Sequence, residues 1–194
     1  MAQVLKEDIE KKILKFAVEE FFEKDYRTAK MRTIAEKAGI PTGLIYSYFQ
    51  NKEDLFEAVV KSTRDYLDFL ANDEVSPEKG HFENFFLKEA EHLLTMLKTN
   101  KKQFIILVDK SSGTKYENFK ENIVELTMGH IKSHLSPKLK TSGTELDDVF
   151  FHILANNFTE GLIEIARHYR DDEWAKATIK LLGTHYFYGI NAFV

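Results

Sequence analysis

The 194-residue chain contains no cysteine, which excludes a disulfide framework, a thiol nucleophile and any thiolate metal site. Proline is scarce at three residues and glycine at nine, a balance that points away from a β-rich or disordered chain. No apolar run is long and uncharged enough to span a bilayer, and the opening residues, MAQVLKEDIEKK, lack the apolar centre of a signal peptide. A cytoplasmic protein is expected. The usual marks of an enzyme are missing too: no phosphate-cradling glycine loop, no GxSxG, and no carboxylate pair that stands out from helix-surface charge. Neither catalysis nor a cofactor is expected.

What is present is Phe, Leu and Ile mixed with charged residues throughout, in a chain long enough for a small domain and a second helical one, each with a core. The net charge of −4 argues against indiscriminate coating of nucleic acid, which needs a broadly basic surface. Locally the balance reverses. Between Lys24 and Lys52 six basic residues (Lys24, Arg27, Lys30, Arg32, Lys37 and Lys52) face two acidic ones (Asp25 and Glu36), a net of +4. A basic segment on an acidic molecule suits targeted contact with DNA.

That segment contains the stretch MRTIAEKAGIPTGLIYSYF, Met31 to Phe49. Ile34, Ala35 and Ala38 form a small apolar face at helical spacing, and Gly39 stops the helix because a residue without Cβ takes the left-handed position cheaply. Ile40 turns inward, Pro41 bars continuation, and Thr42 is placed to cap a second helix with Leu44, Ile45 and Phe49 on its inner face. The pattern predicts a helix-turn-helix, whose second helix enters the major groove. Its outer face carries Thr42, Gly43, Tyr46, Ser47 and Tyr48, small donors and phenols that reach base edges and phosphates.

The run Arg32, Ile34-Ala35, Ala38-Gly39-Ile40, Gly43, Tyr46, Tyr48-Phe49, Asn51-Lys52, Leu55-Phe56 resembles the DNA-binding signature of the TetR family of bacterial transcriptional regulators. The resemblance covers about the first third of the chain. Carried over position by position, it implies that Arg32, Thr42, Gly43, Ser47 and Tyr48 approach bases while Thr33, Tyr46 and Lys52 hold phosphates. Two departures concern stability. Asp25 stands where similar sequences usually carry the helix-ending glycine, and Ala29-Lys30 replaces the Thr or Ser that commonly caps the second helix, a weaker cap by about 1 kcal/mol.

The expected fold is all-α, about nine helices in all: a three-helix DNA-binding domain over residues 1–50, a connecting helix over 51–70, and a C-terminal bundle for ligand binding and dimerisation over 76–194. A first helix runs from about Lys6 to Lys24, its charge run Lys6 to Lys12 on wet surface. Asn51 caps a fourth, with Asp54 at the capping-box position, and this helix would act as a lever. Ala71 to Val75 reads as a linker, and Ser76-Pro77 as the start of a fifth helix that ends near Thr99-Asn100. Phe104 to Val108 forms a buried sixth, a seventh spans about Lys115 to Leu135, and Ser136-Pro137 and Thr141 to Gly143 bound a loop.

The last two helices are apolar on more than one side. Along the eighth, Leu146, Val149, Phe150, Ile153, Leu154, Asn157, Phe158, Gly161, Leu162 and Ile165 repeat at three-and-four spacing, with Phe151, Ala155 and Ile163 off that stripe. The ninth, capped by Asp171 or Asp172, behaves likewise. Such helices need two partners, and a twofold copy supplies the second, so Phe150, Leu154, Asn157, Phe158, Gly161, Leu162, Ile165, Leu182 and Tyr186 are expected at a homodimer interface. An excess of aromatic residues beside polar groups suggests a small-molecule cavity lined by Phe82, Phe86, Phe104, Tyr116, Met128, His130, His152 and Asn156. His130 and His134 have a metal-binding spacing, but no third ligand accompanies them and no metal centre is expected. The reading is a sequence-specific repressor released from a palindromic double-stranded DNA operator by a small-molecule effector. The alternative is a helical protein–protein adaptor, or a small-molecule-binding protein, without DNA binding.

Overall fold

A computed structural model describes residues 2–72, 82–142 and 146–192, and every regular element among them is a helix. In chain order these are α1 (Ala2–Lys24), α2 (Met31–Ala38), α3 (Thr42–Ile45), α4 (Lys52–Asn72), α5 (Phe82–Asp109), α6 (Phe119–Ser142), α7 (Asp148–Arg167) and α8 (Asp172–Asn191). No helix among the described residues is long and apolar enough to cross a membrane. Two compact units result, one gathering residues 1–68 with 102–118 and the other 69–101 with 119–194.

Among the described residues eight helices stand where nine were expected, because the break at Thr99-Asn100 is a kink. Asn100 takes φ −132° and ψ 26° inside α5, and the Thr99 hydroxyl donates to Thr95 O at 3.0 Å while accepting from the Asn100 amide at 3.2 Å. Side-chain competition for the backbone bends the helix there. Beyond the bend, Phe104, Ile105, Ile106 and Leu107 are buried, as an apolar run requires. The loop expected at Ser136-Pro137 is also helical: α6 passes through Pro137. Leu135 and Leu139 flank the proline and are both buried in a cluster with Val124, Ile131, Phe151 and Ala155. Burying two leucines, at roughly 1.5–3 kcal/mol each, offsets the roughly 3 kcal/mol that an interior proline costs. Ala71 and Asn72, expected in a linker, close α4, whereas 73–75 and the Ser76-Pro77 cap lie outside the described residues.

The core of the first unit joins α1 (Ile13, Ala17, Phe21), α2 (Ile34, Ala35, Ala38), α3 (Ile45) and α4 (Leu55, Phe56, Val59, Val60). Phe21 and Tyr26 each meet Phe56 edge-on, with ring centroids 5.1 and 5.2 Å apart. In the second unit, Asp147 caps α7 through the Val149 N–H at 2.7 Å and Asp171 caps α8 through the Trp174 N–H at 2.8 Å. The residues that α7 buries are Phe151, Ala155, Thr159, Ile163, Ile165 and Ala166; Phe151, Ala155 and Ile163 are those that lay off the sequence stripe, and Ile165 lay on it. Gly161 lets α7 and α8 close up, since a Cβ there would stand 3.0 Å from a Leu182 methyl. Nearby, the Phe158 and Tyr186 rings pack edge-to-face at 4.9 Å.

Candidate nucleic-acid interface

The helix-turn-helix forms from local rules. Gly39 sits at φ 66°, its N–H bonding Glu36 O, while the Ile40 N–H reaches Ala35 O at 3.1 Å. These two bonds close α2 in a Schellman turn. Pro41 occupies the N-cap of α3 with φ −61° and ψ 140°, so Thr42 opens the helix instead of capping it. Only Thr42–Ile45 is α-helical. The chain then tightens, with Ser47 N bonding Leu44 O at 3.1 Å and Tyr48 N bonding Ile45 O at 2.9 Å. Tyr46, Ser47 and Tyr48 are displayed on that last tight turn.

Tyr46 is 52% exposed. Ser47 is exposed too, while Thr42 and Tyr48 are half-buried. A Cβ built on Gly43 would meet nothing within 4 Å, so no neighbour inside the chain demands a glycine there. On α2, Thr33 is half-buried and the Arg32 side chain is exposed, its Nε bonded to Glu36 Oε1 at 2.8 Å. The Glu36 hydrogen bond raises the Arg32 pKa. Asn51 caps α4 through the Asp54 N–H, and the Asp54 carboxylate accepts from Gln50 N, each at 2.9 Å. Lys52 lies half-buried, donating from Nζ to Arg27 O at 3.1 Å and Ala29 O at 3.2 Å, 4.6 Å from the centre of the Tyr26 ring. Two of its three donors brace the α1–α2 turn, which leaves at most one for a phosphate.

The turn itself shows how the missing glycine is replaced. Asp25 adopts φ 80°, and its Oδ1 accepts from Thr28 N at 2.9 Å and Thr28 Oγ1 at 3.0 Å. The Thr28 N–H contributes most to holding the Asp25 carboxyl below its usual pKa. Lys30 stands at the N-cap of α2 without a side-chain cap, as anticipated from Ala29-Lys30.

The structure adds two features that were not anticipated. Glu20, 3% exposed on α1, receives Lys37 Nζ at 3.1 Å and the Lys30 N–H at 3.5 Å, and so touches both ends of α2. Lys37 also reaches Glu23 at 3.1 Å, and these two partners raise its pKa, Glu23 more than Glu20. A carboxylate at position 20, beside the apolar 13–17–21 spacing, was the available signal. The second feature is the turn after α5. Lys110 O accepts from Tyr26 N at 2.9 Å, Arg64 donates to the Tyr116 hydroxyl at 3.0 Å, and Lys115 pairs with Glu57 at 2.6 Å. Residues far along the chain thus hold the reading domain, which no local pattern could announce.

The residues expected to line a cavity fall in different places. Phe104 and Tyr116 are buried in the first unit; Met128 and Asn156 are half-buried and His130 and His152 exposed in the second. The side chains of Phe82 and Phe86 lie outside the described residues. Of the residues expected at a dimer interface, Ile165 is buried, and Gly161 with Leu182 and Phe158 with Tyr186 meet within the chain. Asn157 is exposed, and Phe150, Leu154 and Leu162 are half-buried. Among the described residues no cluster of three or more His, Cys, Asp or Glu could hold a metal ion.

Residues 13–59 match the family described as bacterial regulatory proteins, tetR family. The chain is 24% identical to the uncharacterized HTH-type transcriptional regulator YvkB of Bacillus subtilis over 78% of its own length and 82% of that relative's. It shares its fold with NalD, the secondary repressor of the MexAB-OprM multidrug efflux pump in Pseudomonas aeruginosa, at 18% identity and a TM-score of 0.60, covering 95% of this chain and 96% of NalD. Bacillus subtilis FadR, a transcriptional regulator solved in complex with stearoyl-CoA, is similar at 18% identity and a TM-score of 0.51, covering 89% of this chain and 97% of FadR. The helix-turn-helix is thus built from the residues that match the tetR-family model, in a chain that shares its fold with these regulators.

Proposed function

We propose that the protein is a sequence-specific repressor that binds a palindromic operator as a homodimer and leaves it when a small molecule occupies the second unit. The observation that carries the DNA reading is the outer face of α3 and its last turn. There Gly43, Tyr46 and Ser47 are exposed around a glycine that nothing inside the chain requires. A duplex pressed against that face would account for all three. Arg32, Thr42 and Tyr48 extend the contact to bases, and Thr33, Tyr46 and Lys52 to phosphates. Dimerisation is supported by the apolar residues that α7 and α8 leave exposed, Val149, Ile153, Leu181 and Tyr188. The effector reading draws on FadR, solved with stearoyl-CoA, and on half-buried Met128 and Asn156 as lining. An effector that prefers one conformer would lower operator affinity by that preference.

Random-site selection with the purified chain at low salt tests the reading. Inverted repeats are expected, with half-site centres about 34 Å apart along the duplex, or a multiple of it. Recovery of no enriched sequence would overturn it and favour a protein–protein adaptor.

A further inference from the structure

Half of the basic residues counted along residues 24–52 are engaged inside the first unit. Lys37 is paired with Glu20 and Glu23, Arg32 with Glu36, and the Lys52 ammonium is directed onto two backbone carbonyls. Two lysines of α1 stand at the opposite ends of the reading segment instead. Lys6 Nζ is 6.0 Å from the centre of the Tyr48 ring, and Lys12 Nζ is 3.8 Å from where a Cβ on Gly39 would sit. Both lysines are exposed, as is Gly39. Six residues of helix separate them by about 9 Å along the axis, comparable to the length of the segment they bracket.

We propose that α1 is a second DNA-contacting element, with Lys6 and Lys12 each taking a backbone phosphate, one on either side of the bases that α3 reads. This rests on the DNA reading above. A phosphate flanking the bases that Tyr48 approaches is within reach of the Lys6 ammonium, whose four-carbon stem is flexible, and Lys12 stands beside Gly39 in the turn that introduces α3. Because an ammonium on a phosphate carries no base information, the pair adds affinity and salt dependence and leaves sequence preference alone.

The test uses the full chain, the duplex recovered by random-site selection on the parent, and a second duplex of unrelated sequence. Affinity is measured across a salt series for the parent, Lys6→Gln, Lys12→Gln and the double variant; glutamine keeps most of the stem and removes the charge. Each single change removes one phosphate contact per subunit and so is expected to flatten the log–log salt slope of the dimer–duplex complex by about 1.8, and the double by about 3.6, on both duplexes alike. The melting temperature is expected to stay the same, since both side chains are exposed. A double variant with the parental slope would overturn this inference while leaving the DNA reading intact. A parent that binds neither duplex would overturn both.

Discussion

Glu20 lies beside Ile13, Ala17 and Phe21 on the buried side of α1, where an apolar residue would be expected, and its carboxylate is held by Lys37 and the Lys30 N–H. A buried charge is tolerable only while its partner remains. Lys37→Met is therefore expected to lower stability by about 1–3 kcal/mol, the penalty for stranding a buried polar group, with a fall in melting temperature and weaker operator binding. Adding Glu20→Leu to Lys37→Met is expected to restore most of the melting temperature, because an apolar pair can replace a buried ion pair. Failure of the second change to recover it would show that the pair does not orient α2. Asp25 makes a separate, pH-dependent contribution. Its folded pKa lies below that of an ordinary aspartate, so its stabilisation is present above the ordinary value and disappears as pH falls through the folded pKa. An Asp25→Asn variant keeps an oxygen for Thr28 and tolerates positive φ, and is expected to show a shallower loss of stability in acid titrations followed by circular dichroism.

At the level of single helices, caps and stops are legible in sequence because each involves residues at most five apart: Gly39 closes α2, Asn51 opens α4 and Asp171 opens α8, while Asp147, which opens α7, went unread. The two misplaced boundaries share a cause. Asn100 and Pro137 are both legitimate stop signals, and both are overridden by neighbouring residues that bury, Phe104 to Leu107 in one case and Leu135 with Leu139 in the other. Propensity sets a cost of a few kcal/mol, and packing offsets it. Pro137→Ala restores the backbone N–H that α6 lacks and is expected to raise the melting temperature, by an amount reflecting up to about 3 kcal/mol. An unchanged or lowered melting temperature would mean that the proline ring itself packs in the native state.

Across the whole chain, the two apolar sides of α7 and α8 serve different neighbours. The stripe containing Phe151, Ala155 and Ile163 packs inside the subunit, and Gly161 with Leu182 and Phe158 with Tyr186 join α7 to α8. Exposed apolar surface is concentrated in Val149, Ile153, Leu181 and Tyr188. If that surface is where two copies meet, a Leu181→Asp variant is expected to sediment as a monomer at concentrations where the parent is a dimer. Its helical circular dichroism is expected to persist, because Leu181 is 71% exposed in the single chain. Operator affinity is expected to fall sharply, since one reading head engages one half-site. A dimeric Leu181→Asp protein would move the interface elsewhere.

The sequence alone determined that the chain is all-helical, that residues 31–49 make a helix, a sharp turn and a second helix, and that Gly43, Tyr46 and Ser47 face outward there. These depend on periodicity, on glycine and proline, and on caps that act within a turn or two. Tertiary structure alone decided what the charged residues do. Lys37 meets a carboxylate seventeen positions away, and Tyr26 is held by Lys110 from beyond α5. The physical reason is reach. A backbone hydrogen bond in a helix is made by near neighbours, whereas an ammonium takes whichever oxygen the packed core brings within 3 Å, and the linear order of residues does not say which one that is.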